Sequence, residues 1–250
     1  MTFDQESYHD FVLKYRSPDG KDVVGFFPDK RTLVSGRESF WYWNGRILLD
    51  YKEPMDTLAH HILNYCDEHG ITPDYFVNVP EGVNKLTDYL NAMIGGKQVQ
   101  MRAKPKTHGD PRDANFLGPV IQGDRVVLLE DVTTTGGSLI GVLEKLYESE
   151  LNILGTLCEC NRMELAARGR GAEREDFDIG VNEYVTSIRD KGTQHHALTD
   201  ATKILPVAFK LWTPPEGVRK ADIAQGLYEE YQDHGIVDID LRKTGQSLPS

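Results

Sequence analysis

The sequence predicts an α/β fold whose central, mainly parallel sheet is flanked by helices. Short, largely apolar runs at 75–79, 126–129 and 153–158 lack the polar alternation of a half-exposed strand, so they are typical of strands buried on both faces. Stretches with helical spacing of apolar residues lie between these runs. The resulting order of strand, helix and strand favours a parallel sheet over other arrangements.

The individual helices follow from the positions of apolar and helix-ending residues. One helix is predicted before Gly70, a typical helix stop, with a shared face formed by Leu58, His61, Ile62 and Tyr65. A second follows the strand at 126–129 and has apolar residues at i, i+3, i+4 and i+7: Leu139, Val142, Leu143 and Leu146. We also expect a strand at 98–101, and a C-terminal helix marked by Ile223, Leu227 and Tyr231.

Length and charge limit the number of domains and the kinds of partner. A chain of 250 residues with 39% hydrophobic residues can bury one good core. The formal net charge of -11 argues against non-specific binding to nucleic acid or to an anionic membrane, since both attract basic surfaces. No apolar run approaches the roughly 20 residues that span a bilayer, and the N-terminus is too polar for a signal peptide.

Cysteines and histidines give no metal-binding pattern. The three cysteines are Cys66, Cys158 and Cys160, which lack zinc-ligand spacing and are expected to be reduced thiols of a cytoplasmic protein. The pairs His60-His61 and His195-His196 have no carboxylate or cysteine at a metal-ligand spacing. We expect both histidine pairs to lie on helix or loop surfaces.

An acidic pair and a polar, glycine-rich segment follow the clearest strand, in the string VVLLEDVTTTGGS at 126–138. Glu130 and Asp131 would lie at the carboxyl edge of the sheet, where α/β proteins bind ligands. The hydroxyls, the glycines and the start of the next helix favour a phosphate. Carboxylates for vicinal hydroxyls beside a phosphate site predict a ribose 5-phosphate. A capped helix after an acidic strand end is the alternative, and it would account for TTGGS alone.

The thirteen-residue string resembles the 5-phosphoribosyl-1-pyrophosphate (PRPP) motif of type I phosphoribosyltransferases. The resemblance implies the fold of that family, with a small hood from the N-terminal segment. It also implies that Glu130 and Asp131 hold the 2′- and 3′-hydroxyls of the ribose. The rest of the motif would bind the substrate, mainly its 5′-phosphate: Val132, Thr133, Thr134, Thr135, Gly136, Gly137 and Ser138.

A basic cluster precedes the motif, in the stretch MRAKPKTHGD at 101–110. A basic run is usually a solvated face, but in an acidic chain this one favours a loop that closes over a departing pyrophosphate. Its spacing is similar to the catalytic loop R-K-x-x-K-x-H-G of orotate phosphoribosyltransferases. The match covers Arg102, Lys106, His108 and Gly109, and it implies that Arg102 binds the substrate. Ala103 replaces a lysine, and Lys104 at the next position is expected to bind the substrate in its place.

Three further segments resemble the orotate enzymes. The stretch LVSGRESFWYWN at 33–44 is similar to the hood segment over the base, which implies stacking by Tyr42 and its neighbours Trp41 and Trp43; core or dimer contacts are the alternative. The stretch CECNRMELAARG at 158–169 is similar to V-x-D-R-x-E-G-A, which implies that Arg162 pairs with a substrate carboxylate. A weaker match, NVPEGVNK at 78–85, would form the pyrophosphate loop, although Glu81 adds a negative charge.

The resemblance covers roughly residues 30–205 and divides the chain into a hood segment at 1–50, a phosphoribosyltransferase core at 51–205 and a C-terminal extension at 206–250. It implies a glycosyltransferase of pyrimidine biosynthesis that converts PRPP and orotate into orotidine 5′-monophosphate and pyrophosphate. The implied catalytic residues are Lys106, His108, Glu130 and Asp131. Mg²⁺ would be held by the ligand and by water, with Asp131 contacting it only through water. A homodimer with shared active sites is also implied.

Two alternatives differ from this hypothesis in substrate or in activity. A phosphoribosyltransferase for another base would differ only in its base contacts, namely Arg162 and the aromatic residues within 39–44. A PRPP- or nucleotide-sensing protein would need no leaving-group loop, so Lys106 and His108 argue against it. The departures at Val34, Glu81 and Ala103 argue in its favour.

Overall fold

The computed structural model describes residues 2–108, 114–169 and 171–243. Its helices are α1 (Gln5–Lys14), α2 (Lys52–Glu68), α3 (Asn84–Met93), α4 (Gly137–Glu148), α5 (Val181–Ser187), α6 (Ala201–Leu211) and α7 (Lys220–His234). Its strands are β1 (Val24–Thr32), β2 (Glu38–Trp43), β3 (Tyr75–Asn78), β4 (Gln100–Met101), β5 (Phe116–Leu117), β6 (Arg125–Thr133), β7 (Asn152–Asn161), β8 (Leu165–Arg168), β9 (Glu175–Gly180) and β10 (His195–Asp200). Among these described helices, none is long and apolar enough to cross a bilayer.

The central sheet has four parallel strands in the order β10, β7, β6, β3. Consecutive residues of one strand pack on opposite faces: Val127 and Leu129 join one apolar cluster, whereas Val126 and Leu128 join the other. The first cluster lies under α1, α2, α6 and α7, and the second lies under α4 and α5. Burial on both faces confirms the predicted α/β fold and its mainly parallel sheet.

The fourth strand of the sheet was missed by the sequence analysis. Strand β10 has the sequence HHALTD, in which polar residues hide the apolar pattern. His195 is buried there and makes a 2.7 Å hydrogen bond with Thr156 Oγ1, so its expected surface position was wrong. Burial lowers the pKa of His195 to about 3, and the ring is therefore neutral.

The predicted strand at 98–101 lies outside the central sheet. Its last two residues form β4, which pairs antiparallel with β5 in a separate two-stranded ribbon. Helix α2, by contrast, ends where it was predicted to end. Gly70 adopts a left-handed conformation with φ of 65°, and Ile71 N donates to Cys66 O, which closes the helix end.

The N-terminal and C-terminal segments pack against each other beside the sheet. Strands β1 and β2 form an antiparallel hairpin, and α7 lies against β2. The predicted C-terminal helix is confirmed, since Ile223, Leu227 and Tyr231 are all buried in the cluster that also contains Trp41. Residues from all three sequence segments thus share one hydrophobic core.

Candidate active site

A cavity of about 780 Å³ lies at the carboxyl ends of β3 and β6, below the β1–β2 hairpin. It collects residues that are far apart in the sequence. Most of the residues predicted for the site line this cavity: Tyr42, Arg102, Glu130, Asp131, Val132, Thr134, Thr135, Gly136, Gly137, Ser138 and Arg162. Thr133, Lys104, Lys106 and His108 are not part of its lining.

The two acidic residues at the end of β6 are held in place by neighbouring groups. The Oε2 atom of Glu130 accepts a 3.0 Å hydrogen bond from Thr133 Oγ1. The Oδ2 atom of Asp131 lies 3.2 Å from the Nε of Arg46, and its Oδ1 accepts from Val132 N at 2.9 Å. Both carboxylates border the cavity, so they can accept bonds from ligand hydroxyls.

Thr133 does not line the cavity but is hydrogen-bonded to residues that do. Its side chain is fully buried, and its hydroxyl is directed to Glu130. Its carbonyl oxygen accepts from Arg162 N at 2.9 Å, which ties the end of β6 to the chain that follows β7. Thr133 therefore orients Glu130 and fixes the position of the Arg162 backbone.

The start of α4 forms the floor of the cavity and depends on two glycines. Gly136 has a left-handed conformation with φ of 72°, and a Cβ there would lie 2.9 Å from Val181 Cγ1. A Cβ on Gly137 would collide with the carbonyl oxygen of Gly169. Gly136, the N-cap residue, has no side chain that could cap this helix start. The positive end of the helix dipole therefore faces the cavity, where Thr134 and Ser138 add hydroxyls, an arrangement that suits a phosphate.

The turn after β3 borders the acidic pair. Pro80, Glu81 and Gly82 line the cavity, and the Pro80–Glu81 peptide bond is cis. A Cβ on Gly82 would lie 2.6 Å from Asp131 Oδ2, so only glycine permits this approach. Lys85, in contrast, pairs with Asp50 at 3.3 Å outside the cavity.

The three consecutive aromatic residues Trp41, Tyr42 and Trp43 of β2 have different surroundings. Tyr42 is 37% exposed and lines the cavity. Trp41 is fully buried beside the guanidinium of Arg162, with 4.0 Å between the Arg162 Cζ and the ring centroid. Trp43 is 2% exposed and donates from Nε1 to Glu159 Oε2 at 3.0 Å. Tyr42 is thus the residue of this group that is best placed to stack on a ligand ring.

Arg162 lies at the edge of the cavity but is 1% exposed, and its guanidinium is largely engaged. Its hydrogen bonds go to four groups: Glu164 Oε1 at 2.6 Å, Glu230 Oε1 at 2.8 Å, Ser39 Oγ at 2.8 Å and Trp41 O at 3.3 Å. A guanidinium has about five N–H donors, so about one is left for a ligand. Burial lowers the pKa of Arg162, but the two carboxylates reverse this effect, and the group is charged. Its contact with a substrate carboxylate stays a prediction.

The basic residues before β5 lie on an exposed segment. Arg102 is held at 3.1 Å from its Nε to Phe116 O and lines the cavity. The side chains of Lys104, Lys106 and His108 are exposed to solvent. Gly109, the last matching residue of the predicted loop, lies outside the described residues.

Several polar residues near the cavity were missed by the sequence analysis. Arg46 pairs with Asp131, and its only signal was its position three residues after the aromatic run. Glu159 is fully buried; this burial raises its pKa to about 8, and the charge of Asp131 adds to the rise. Glu164 and Glu230 pair with Arg162, and Glu230 lies 68 residues further along the chain, so no local pattern indicates it.

Similar proteins were found by sequence and by structure, although not by family models. No family model matches the chain. The orotate phosphoribosyltransferase of Pyrococcus furiosus is 32% identical over 147 residues, which cover 59% of this chain and 79% of that protein. That of Bacillus pumilus is 26% identical over 195 residues, which cover 76% of this chain and 81% of that protein.

A solved structure of orotate phosphoribosyltransferase from Francisella tularensis shares the fold. It superposes with a TM-score of 0.61 at 17% identity and covers 92% of this chain and 99% of the other. Sequence similarity over most of the length of the Pyrococcus enzyme goes further than this shared fold. The chain belongs to the orotate phosphoribosyltransferase family.

Proposed function

We propose that the protein transfers the 5-phosphoribosyl group of PRPP to orotate, giving orotidine 5′-monophosphate and pyrophosphate. One observation carries the proposal: in a chain of this family, the acidic pair at the end of β6 shares a cavity with the start of α4. Glu130 and Asp131 accept from the ribose hydroxyls. The segment from Thr134 to Ser138 binds the 5′-phosphate through hydroxyls, backbone N–H groups and the helix dipole.

The base lies between the β1–β2 hairpin and the end of β7. Tyr42 stacks on its ring, and the guanidinium edge of Arg162 that faces the cavity donates to its carboxylate. The bond between C1′ and the pyrophosphate oxygen breaks largely before the base nitrogen bonds, so positive charge develops on the ribosyl group. The bonding electrons leave with pyrophosphate, and the base nitrogen supplies the new pair while its proton passes to solvent.

Negative charge builds on the departing pyrophosphate and needs cationic partners. Arg102 lies at the cavity, and Lys106 and His108 extend from the same segment. We infer that these two side chains act at the active site of a second subunit in a homodimer. Their exposure and their absence from the lining of the cavity support this inference. Positioned cations of this kind stabilise a leaving group as its charge develops.

The residues of the cavity fit Mg²⁺ held mainly by ligand oxygens and water. Asp131 Oδ2 already pairs with Arg46, so Asp131 suits a contact through water better than direct coordination. Within the described parts of the chain, no group of three histidine, cysteine or acidic residues is arranged to hold a metal. Mg²⁺ would supply charge neutralisation at the pyrophosphate, while Asp131 and Arg102 would position the substrate.

A panel of bases tests the proposal. The purified protein is incubated with PRPP, Mg²⁺ and one base at a time: orotate, uracil, cytosine, adenine, guanine, hypoxanthine or nicotinate. We expect nucleotide product only with orotate, identified by mass as orotidine 5′-monophosphate. Turnover of another base would keep the PRPP site and overturn the base assignment. Binding of PRPP without turnover of any base would favour a sensing protein.

A further inference from the structure

Helix α7 of the C-terminal extension lies directly on the strand that carries Tyr42. A Cβ on Gly226 would collide with the ring of Phe40, so helix and strand are in close contact at this point. Leu227 and Tyr231 are buried on the same face of α7. The extension therefore forms part of the wall behind the hairpin.

Glu230 of α7 connects this strand to Arg162. Its side chain is buried, and its Oε1 accepts from Arg162 Nη2 at 2.8 Å. Its Oε2 accepts from the backbone N–H of Phe40 at 3.2 Å. One carboxylate thus fixes both the guanidinium and the strand position two residues before Tyr42.

The neighbouring residue of α7 holds the backbone of the same arginine. Tyr231 donates from its hydroxyl to the carbonyl oxygen of Arg162 at 2.9 Å. Since Glu230 and Tyr231 are adjacent, α7 constrains both the main chain and the side chain of Arg162. The remaining carboxylate partner of Arg162 is Glu164, which also pairs with Arg37 at 2.9 Å.

Because the ion pair between Glu230 and Arg162 is buried, loss of the Glu230 carboxylate should displace the guanidinium. A guanidinium that is 1% exposed has little water to replace a lost partner. Without the carboxylate of Glu230, Glu164 is the one acidic partner left to Arg162 among the described residues, and it is shared with Arg37. The guanidinium would then shift toward Glu164, and its edge at the cavity would move with it.

We propose that Glu230 is a positioning residue for the orotate side of the active site, acting through Arg162 and β2. This inference rests on the proposed function and assigns a task to the C-terminal extension. Glu230 does not line the cavity, so it would act without contacting PRPP or the reacting atoms. Its loss should therefore weaken the binding of the base while leaving the PRPP site, which is formed by β6 and α4, nearly intact.

Steady-state kinetics of Glu230→Gln test the inference. We expect KM for orotate to rise about tenfold, the effect of misplacing one charged contact, while KM for PRPP changes less than about twofold. Glu229→Gln is the matched control, since Glu229 is the exposed neighbour on the same helix. Glu230→Asp keeps the charge and should recover part of the affinity for orotate. Thermal unfolding of each variant shows whether it is folded.

The possible outcomes separate the two proposals. An unchanged KM for orotate in a folded Glu230→Gln variant, or equal rises for both substrates, would overturn the positioning role alone. If Glu230→Gln does not fold, the same comparison in Glu230→Asp decides, with a selective rise in KM for orotate expected. Absence of turnover by the wild-type protein would overturn the proposed function and this inference with it.

Discussion

Asp131 is the side chain on which the proposed chemistry depends most. It borders the cavity and is tied to Arg46 and to the backbone of Val132, so its orientation is fixed before a ligand arrives. Fixed groups that meet charge developing in the transition state contribute more to catalysis than mobile ones. The ion pair with Asp131 also holds the side chain of Arg46 in place.

Asp131→Asn should lower turnover roughly 100-fold, the scale of losing one positioned charge-stabilising group. The amide keeps the size of the side chain but removes the charge that faces the ribose. Steady-state rates with saturating PRPP and orotate measure the effect. Asp178→Asn, at an exposed position of β9, is the matched control and should stay near the wild-type rate. Near-normal turnover of Asp131→Asn would remove the role assigned to Asp131.

Glu159 gives the protein a pH-dependent contribution to stability. Its folded-state pKa is raised to about 8, whereas an unperturbed glutamate titrates near 4.3. Between these values the native state holds a proton that the unfolded chain has lost. The free energy of unfolding therefore falls as pH rises through this window, and the stabilisation is complete only below about pH 4.3.

Glu159→Gln removes this titration and should become more stable relative to the wild type as pH rises. Between pH 5 and pH 9, we expect the difference in Tm to shift by about 3 °C or more in favour of the variant, which is roughly 1 kcal/mol for a chain of this size. Thermal unfolding across this range measures the shift, with Glu229→Gln as the exposed control. A difference in Tm that does not vary with pH would contradict the assignment.

The segment between β4 and β5 is proposed to act at the active site of the partner subunit. Lys106 and His108 are exposed and absent from the lining of the cavity. If they complete the site of a partner, a subunit with a defective loop and a subunit with a defective cavity should together form one intact site.

Complementation between Lys106→Ala and Asp131→Asn tests the shared site. Each variant alone should retain about 1% of wild-type turnover or less. Subunits unfolded together and refolded as a mixture should regain roughly a quarter of it, because half of the randomly paired dimers contain one intact site of two. A mixture no more active than its parents would place the loop over the cavity of its own subunit.

Elements differ in how well the sequence predicts them. The sequence predicts strands β3, β6 and β7, because their continuous apolar runs reflect burial on both faces of the sheet. It also predicts helix α4, because its apolar spacing reflects burial of one face. Strand β10 was not predicted, because His195 and Thr199 are buried through hydrogen bonds, which leave no apolar pattern. Strand β4 was predicted as a strand, but its antiparallel partner β5 depends on a return of the chain that periodicity does not encode.

The same limit applies to the site. Glu130, Asp131 and the segment at 134–138 form one continuous motif, so the sequence places them together. The partners that orient the motif residues and Arg162 come from distant segments: Arg46 from the helical turn after β2 and Glu230 from α7. The sequence predicts most of the residues that line the cavity but not the contacts that fix its geometry.

The chain as a whole should unfold as one unit despite its three sequence segments. The hairpin, the central sheet and α7 contribute to the same apolar cluster. The three tryptophans are Trp41 and Trp43 in the hairpin and Trp212 after α6, so fluorescence reports on the two outer segments, whereas circular dichroism reports on all helices and strands. In urea, we expect both signals to change at the same midpoint. An earlier change in fluorescence would show that the outer segments unfold separately.

The most direct test of the proposed function is the stoichiometry of one reaction. The wild-type protein is incubated with Mg²⁺, PRPP and orotate, and pyrophosphate and orotidine 5′-monophosphate are quantified in the same sample over time. The transfer mechanism predicts equal amounts of the two products and no pyrophosphate release when orotate is omitted. Pyrophosphate release without orotate, or the absence of both products while PRPP binds, would contradict it.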